Sequence, residues 1–205
     1  SIAPDESSVV GFPLELMDIT QLGYGAPCKN PDKPQTLPPG ASEEEGIWRT
    51  DLKTNKRTLI VSLADIVARH PDSHPREDGT FYFWHSKFNS TGTRVMQVLR
   101  CVFPDGWGRR NPSTFTFNPD GSDIQYLPFT SPWEAKGGHS NWHPDGEHLI
   151  RIVLDENRDG RYCQIRSDGT ERKILGESLI GGGHASIDPT GRYMFTDDKS
   201  DDGHT

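Results

Sequence analysis

The sequence predicts an all-β protein, a β-propeller of four-stranded antiparallel blades, from three observations: a histidine-led hairpin recurs, two kinds of hairpin alternate, and helical periodicity is nearly absent. HSKFNSTG runs from His85 to Gly92, HSNWHPDG from His139 to Gly146, and HASIDPTG from His184 to Gly191. In each, the histidine stands seven residues before the turn glycine, and an apolar residue (Phe88, Trp142 or Ile187) stands four before it. The turns carry Pro, Asp, Asn and Gly, the residues that reverse a chain between strands. A fourth copy opens the chain, where SIAPDES puts Ile2, Pro4 and Asp5 in the same register and its first position falls before Ser1.

Between these copies lie more polar hairpins of a second kind, in strict alternation with them: DLKTNKRTLI around Asn55, TFTFNPDGSDIQYL around Gly121, and YCQIRSDGTERKIL around Gly169. Two hairpins make a four-stranded unit of roughly 45 to 55 residues, the size of one propeller blade. The returns TRVMQVLRCVF, EHLIRIVL and RYMFTDD are rich in β-branched, aromatic and long apolar residues and read as strands. The units span about 1–62, 81–130 and 139–180, with an incomplete one at 184–205. Two stretches rich in Pro, Gly and charge, 23–45 and 70–80, read as long loops. SLADIVARH, from Ser62 to His70, is the one helical candidate, with Ser62 as cap and Leu63, Ile66 and Val67 on one face. Closed propellers take about four to eight blades, and about three to four are counted here. The expectation is therefore a single partial propeller domain over 1–205, with blades and the natural N-terminus missing.

With 32% hydrophobic residues, 21 glycines and 16 prolines in 205, the composition suits strands and turns. A net charge of −8 without a basic run argues against nucleic acid or an acidic membrane surface as partner. No stretch is apolar enough to span a bilayer. Cys28, Cys101 and Cys163, odd in number and unrelated in spacing, read as free thiols. The compartment, cytoplasmic or periplasmic, and the oligomeric state stay open.

Equivalent positions on successive blades lie at one height around the central channel, so His85, His139 and His184 are expected to form an arc at its mouth. Imidazoles gathered in this way can ligate a divalent metal or move a proton near neutral pH. Hydrogen bonding to the neighbouring blade is the alternative role and stays open. His70, His74, His143 and His148 read as solvated, and the Asn89-Ser90-Thr91 sequon as incidental. Arg100, with Arg109 and Arg110 in GWGRRNP, lies where a loop opens on the same face, and Arg151, Arg158 and Arg161 occupy similar ground one blade later. Guanidinium groups there can hold a carboxylate in bidentate fashion or pair with surface acids. Trp107 and Trp133 can stack on sugar rings or pack between blades.

The alternation of HSNWHPDG with GGHASIDPTGRYMFTDD, together with GIWRTDLKTNKRTLI, GYG and WHSKFNSTGTRVMQVLR, resembles the oligogalacturonate lyase-like propellers within the broader TolB-like class. The resemblance covers most of the chain. It implies a seven-bladed whole and a polysaccharide lyase, a carbon–oxygen lyase that cleaves an acidic, uronate-containing oligosaccharide by metal-assisted β-elimination. It further implies a divalent cation, manganese in the family, held by His139 and His184. His85 would then be ligand or base, and Arg110 and Arg100 carboxylate binders or base, with Arg109 and Trp133 on the substrate. The glutamine that completes the family's metal shell has no equivalent before His184, where Gly181, Gly182 and Gly183 stand. Two other readings remain: a non-catalytic TolB-like propeller that binds a saccharide or protein partner, and an accessory domain of a hydrolase.

Overall fold

The computed structural model describes residues 1–21, 24–26, 39–71, 79–104, 113–128, 139–176 and 178–197. The fold is all-β, and each sheet pairs its strands in sequence order. The first sheet holds β1 (Ser8–Gly11), β2 (Gly46–Asp51) and β3 (Arg57–Ser62), with Ile2 bridging back to Val9. The second holds β4 (Thr80–Phe88), β5 (Val95–Val102), β6 (Ser113–Phe117) and β7 (Gln125–Tyr126). The third holds β8 (Asn141–Trp142), β9 (His148–Leu154), β10 (Gly160–Arg166) and β11 (Lys173–Leu175), and a two-stranded sheet of β12 (Ser186–Ile187) and β13 (Met194–Phe195) follows. All ladders between these strands are antiparallel.

The strand period of two decides how these sheets stack. On β4, Phe81 and Phe83 face the first sheet, in one core with Val10, Ile47, Val61 and Ile66. Tyr82 and Trp84 face the other way, in a second core with Leu149 and Ile165 of the third sheet. On β5, Val95, Leu99 and Cys101 join the first core, and Met96, Val98 and Val102 the second. A third core sets Ile150, Ile152 and Tyr162 against Ala185, Ile187 and Met194. Each central sheet is thus buried on both faces, which is why TFYFW and VMQVL read as continuous apolar runs instead of alternating ones.

Polar bonds tie the same interfaces together. The Asn89 amide donates to the Gly146 carbonyl at 2.8 Å, and Ser90 Oγ donates to the Pro144 carbonyl at 3.0 Å. Thr116 Oγ1 donates to Ser167 O at 2.6 Å, and the Trp142 indole to Lys87 O at 2.9 Å. Asn89 also donates to Thr93 Oγ1 and accepts from the Arg94 amide, so the sequon asparagine, 2% exposed, is a joint between blades.

Two helices interrupt the strands. α2 (Leu63–Ala68) forms where the sequence predicts it, with Ser62 Oγ accepting from the Asp65 amide at 3.0 Å. α1 (Leu14–Thr20) is not predicted by periodicity. It begins at Pro13 without a side-chain cap and buries Met17 and Thr20, so packing against β4 maintains it where local propensity does not. The 23–45 and 70–80 stretches fall largely outside the described residues. Cys101 and Cys163 are buried and form no disulfide among the described residues, and Cys28 lies outside them. Among the described residues no helix is long and apolar enough to cross a membrane.

Asn89→Ala should cost about 1–3 kcal/mol, because it leaves the buried Gly146 carbonyl unpaired along with losing two bonds within its own turn. Urea unfolding of the variant beside the parent protein measures this, and an unchanged midpoint would contradict the joint.

Candidate functional site

His85 and His139 share an unusual backbone: φ is +55° at His85 and +59° at His139. The left-handed region costs a residue with a Cβ about 1–2 kcal/mol. At the third copy the left-handed residue is Gly183, φ +62°, one position before His184. His85 is also the extra residue of a β-bulge: Trp84 pairs with Val98 and Ser86 with Gln97, and His85 is passed over. A bulge breaks the alternation of side chains and re-aims the residue it ejects. The strained backbone is therefore what sets His85 apart from the ladder.

The structure brings the three predicted histidines to one place. The rings of His139 and His184 meet edge to face at 4.1 Å between centroids. Asp197 accepts from the His184 backbone amide, and its Oδ2 lies 2.8 Å from His184 Nδ1. A carboxylate can only accept, so that pairing has Nδ1–H as its donor, the orientation a carboxylate commonly gives a metal-binding imidazole. Burial, then the charges of Lys87, Arg100, His139 and His184, lower the His85 pKa from 6.5 to about 4. Burial, then the charges of His184 and Arg100, lower that of His139, with Asp197 opposing. Both rings are thus neutral at pH 7, able to accept a proton or a metal.

Two cations flank the arc. The Arg100 guanidinium lies 4.5 Å from the centre of the Trp84 ring, and its Nη1 donates to Gln21 Oε1 at 2.9 Å. The Tyr82 hydroxyl donates to the same oxygen at 3.3 Å. Trp84 in turn packs against His85 at 5.2 Å and against the exposed Tyr24 at 4.7 Å, ring to ring. Lys87 Nζ donates to Ser140 O at 3.2 Å and Asn141 Oδ1 at 3.3 Å of the next blade, and burial lowers its pKa.

His85, His139, His184 and Arg100 therefore come together from the predicted set. Arg109, Arg110 and Trp133 lie outside the described residues, as do Trp107, His74 and His204. Three histidines read as solvated are engaged instead. His143 and His148 share Asp145, at 2.9 and 2.8 Å, and His70 Nε2 lies 2.7 Å from Ser113 Oγ with its ring against Tyr126. Arg161 pairs with Asp155 at 3.0 Å, its surface-pair reading. Sequence reasoning missed Gln21, Lys87 and Asp197. Lys87 had a signal, two residues after His85 where the other copies have Asn141 and Ser186; Gln21 had none, because only tertiary packing carries it to Arg100.

Among the described residues no three His, Cys, Asp or Glu side chains form a group able to hold a metal ion. His139 and His184 offer two imidazoles, and Asp197 is occupied in orienting one of them. The described residues do not make a complete metal shell.

Two replacements test the His85 backbone and its titration. His85→Gly should be more stable than His85→Ala by about 1 kcal/mol, since only glycine takes a left-handed φ freely. Equal stability in urea would rule out the left-handed bulge. For the ring, the folded pKa lies below the unfolded one, so the unfolded chain takes up the proton first. The contribution of neutral His85 is fully present above pH 6.5 and is lost as pH falls toward about 4. His85→Gln should flatten the stability profile across that window, and urea titrations at several pH values would reveal an unaltered slope if the ring is not buried as described.

The fold has relatives among solved structures. An oligogalacturonate lyase in complex with manganese superposes with a TM-score of 0.55 at 18% identity, over 77% of this chain and 37% of that one. An oligogalacturonate lyase from Vibrio parahaemolyticus aligns with a TM-score of 0.40 at 13% identity, over 98% of this chain and 58% of that one. The chain thus spans about a third to three-fifths of the length of these two structures. No family model matches the sequence, and no curated protein matches it. At these identities the likeness to the first structure establishes the fold, that of a lyase-like β-propeller.

Proposed function

We propose that the arc binds an acidic oligosaccharide of the oligogalacturonate type and that the protein is a polysaccharide lyase acting by β-elimination. The observation that carries this reading is the convergence of His85, His139 and His184 with Arg100 and Lys87, with Asp197 paired to His184. Cationic and neutral donors so gathered complement a uronate, whose carboxylate takes charge-assisted hydrogen bonds from guanidinium and ammonium groups. The similar solved structure is an oligogalacturonate lyase in complex with manganese, which supports the same substrate class.

In the proposed reaction Arg100 and Lys87 hold the uronate carboxylate and spread the charge that grows on it, which acidifies the hydrogen on the adjacent ring carbon. A neutral imidazole takes that proton, and His85 is the candidate. The electron pair left behind forms a carbon–carbon double bond as the bond to the glycosidic oxygen breaks, and that oxygen leaves with the proton the imidazole took, which regenerates the neutral base. An imidazole at about 4 is a weak base, so the step depends heavily on the two cations. Arg110, the other arginine of this reading, and the substrate contacts Arg109 and Trp133 belong to the same proposal. A divalent cation is part of it too, with His139 and His184 as two of its ligands, but no step here is routed through it because the described shell is incomplete.

The low basicity of His85 favours a second reading, a TolB-like propeller that binds the saccharide without cleaving it.

Titration with trigalacturonate by calorimetry, with the release of unsaturated uronate followed by its ultraviolet absorbance, tests both. Binding that weakens with salt, and roughly tenfold or more in Arg100→Ala and in Lys87→Met, is expected. Release of unsaturated product selects the lyase, binding without release selects the second reading, and no binding overturns the saccharide site. Metal analysis of protein purified without chelator should find a divalent ion that disappears in the His139→Ala, His184→Ala double variant; its absence from the parent would remove the metal from the proposal.

A further inference from the structure

His85 is held from behind by a residue that touches no ligand. Gln97 on β5 is 0% exposed, and it stands opposite Ser86 in the ladder, beside the bulge. Its Nε2 donates to the Trp84 carbonyl at 3.0 Å, and its Oε1 accepts from Ser86 Oγ at 2.5 Å. A carbonyl can only accept, so the Trp84 contact fixes which end of the amide is which. The two bonds grip the residues immediately before and after His85, and no bond from Gln97 goes to His85 itself. A buried amide is stable only while its donor and acceptor are both satisfied, so moving the bulge would strand the amide.

The same position is polar in the other copies. Gln97, Arg151 and Thr196 each lie five residues after the turn glycine of their hairpin. Arg151 is 2% exposed, and Thr196 Oγ1 donates at 2.7 Å to the Gly182 carbonyl, just upstream of His184. Thr196 is exposed, but Gln97 and Arg151 are buried on strands covered on both faces, where a polar side chain carries a desolvation cost that only its hydrogen bonds offset.

We propose that Gln97 is a positioning residue, whose amide clamps Trp84 and Ser86 and so sets where the His85 imidazole stands in the arc. The inference rests on the reading of the arc as an acidic-saccharide site. Without the clamp the left-handed bulge has neighbouring ladder registers to relax into, and His85 leaves the place where Arg100 and Lys87 act on it.

The test replaces Gln97 by Met, similar in length and without a donor, in protein carrying ¹³C,¹⁵N-labelled histidine, and reads the imidazole signals by NMR alongside trigalacturonate affinity. The expected result is a His85 signal that shifts or splits while those of His139 and His184 stay in place, with affinity down about tenfold. Gln97→Arg, the residue that the next blade uses, restores a donor and should recover part of the affinity. A cooperatively folded Gln97→Met protein with His85 signals and affinity unchanged would overturn the proposal. If Gln97→Met does not fold, Ser86→Ala breaks the other half of the clamp at a less buried site, and an unmoved His85 signal there is equally fatal. A His85 signal that moves in a protein that binds no trigalacturonate even as wild type upholds the clamp and overturns the saccharide reading.

Discussion

Everything in this molecule depends on sheets being buried on both faces. A four-stranded meander such as β4–β7 cannot cover its own apolar side chains, because alternate residues point to opposite faces and both sets are large: Phe81, Phe83, Leu99 and Phe115 one way, Tyr82, Trp84, Met96 and Val98 the other. Stacking one sheet on the next is the remedy, and it dictates the repeated unit and the three cores that lie between neighbouring sheets among the described residues. The polar joints at Asn89, Ser90, Thr116 and Trp142 sit at the margins of these stacks, where carbonyls of one turn would otherwise meet the next blade unsatisfied.

The site follows from that architecture by a local departure from it. A regular strand would send His85 alternately into one core or the other, where an imidazole has no partner. The bulge at His85 takes it out of the alternation, and the left-handed φ it requires recurs at His139 and, carried by glycine, at Gly183. The arc is built from a left-handed step repeated blade by blade, strained at His85 and His139 and relieved by glycine at Gly183, with burial and nearby cations favouring the neutral form of His85 and His139. Such local backbone strain is common where a fold carries chemistry.

The hairpins and the histidine offset were legible because turn chemistry is local: a glycine that needs positive φ, as Gly92, Gly146 and Gly191 do, marks a reversal whatever surrounds it. The all-β class and the meeting of His139 with His184 followed from that repetition. α1 was not legible, since seven residues led by Pro13 have no cap and little periodicity, and only the second core maintains them. Lys87, Gln97 and Asp197 were hidden for a different reason. Each looks like an ordinary strand or loop polar residue until the bulge or the neighbouring blade gives it a partner. His143 and His148 misled in the opposite sense, because a turn and the start of its returning strand suggest water and the structure supplies Asp145.

Because each ring of the arc arrives on its own blade, the distance between His139 and His184 is a property of the joint between two sheets and of neither sheet alone. The site therefore works as a gauge of alignment. A substitution deep in the third core, at Ile152 or Tyr162, slides one imidazole past the other without touching either, so the geometry of the site and the tightness of the stack are inherited together.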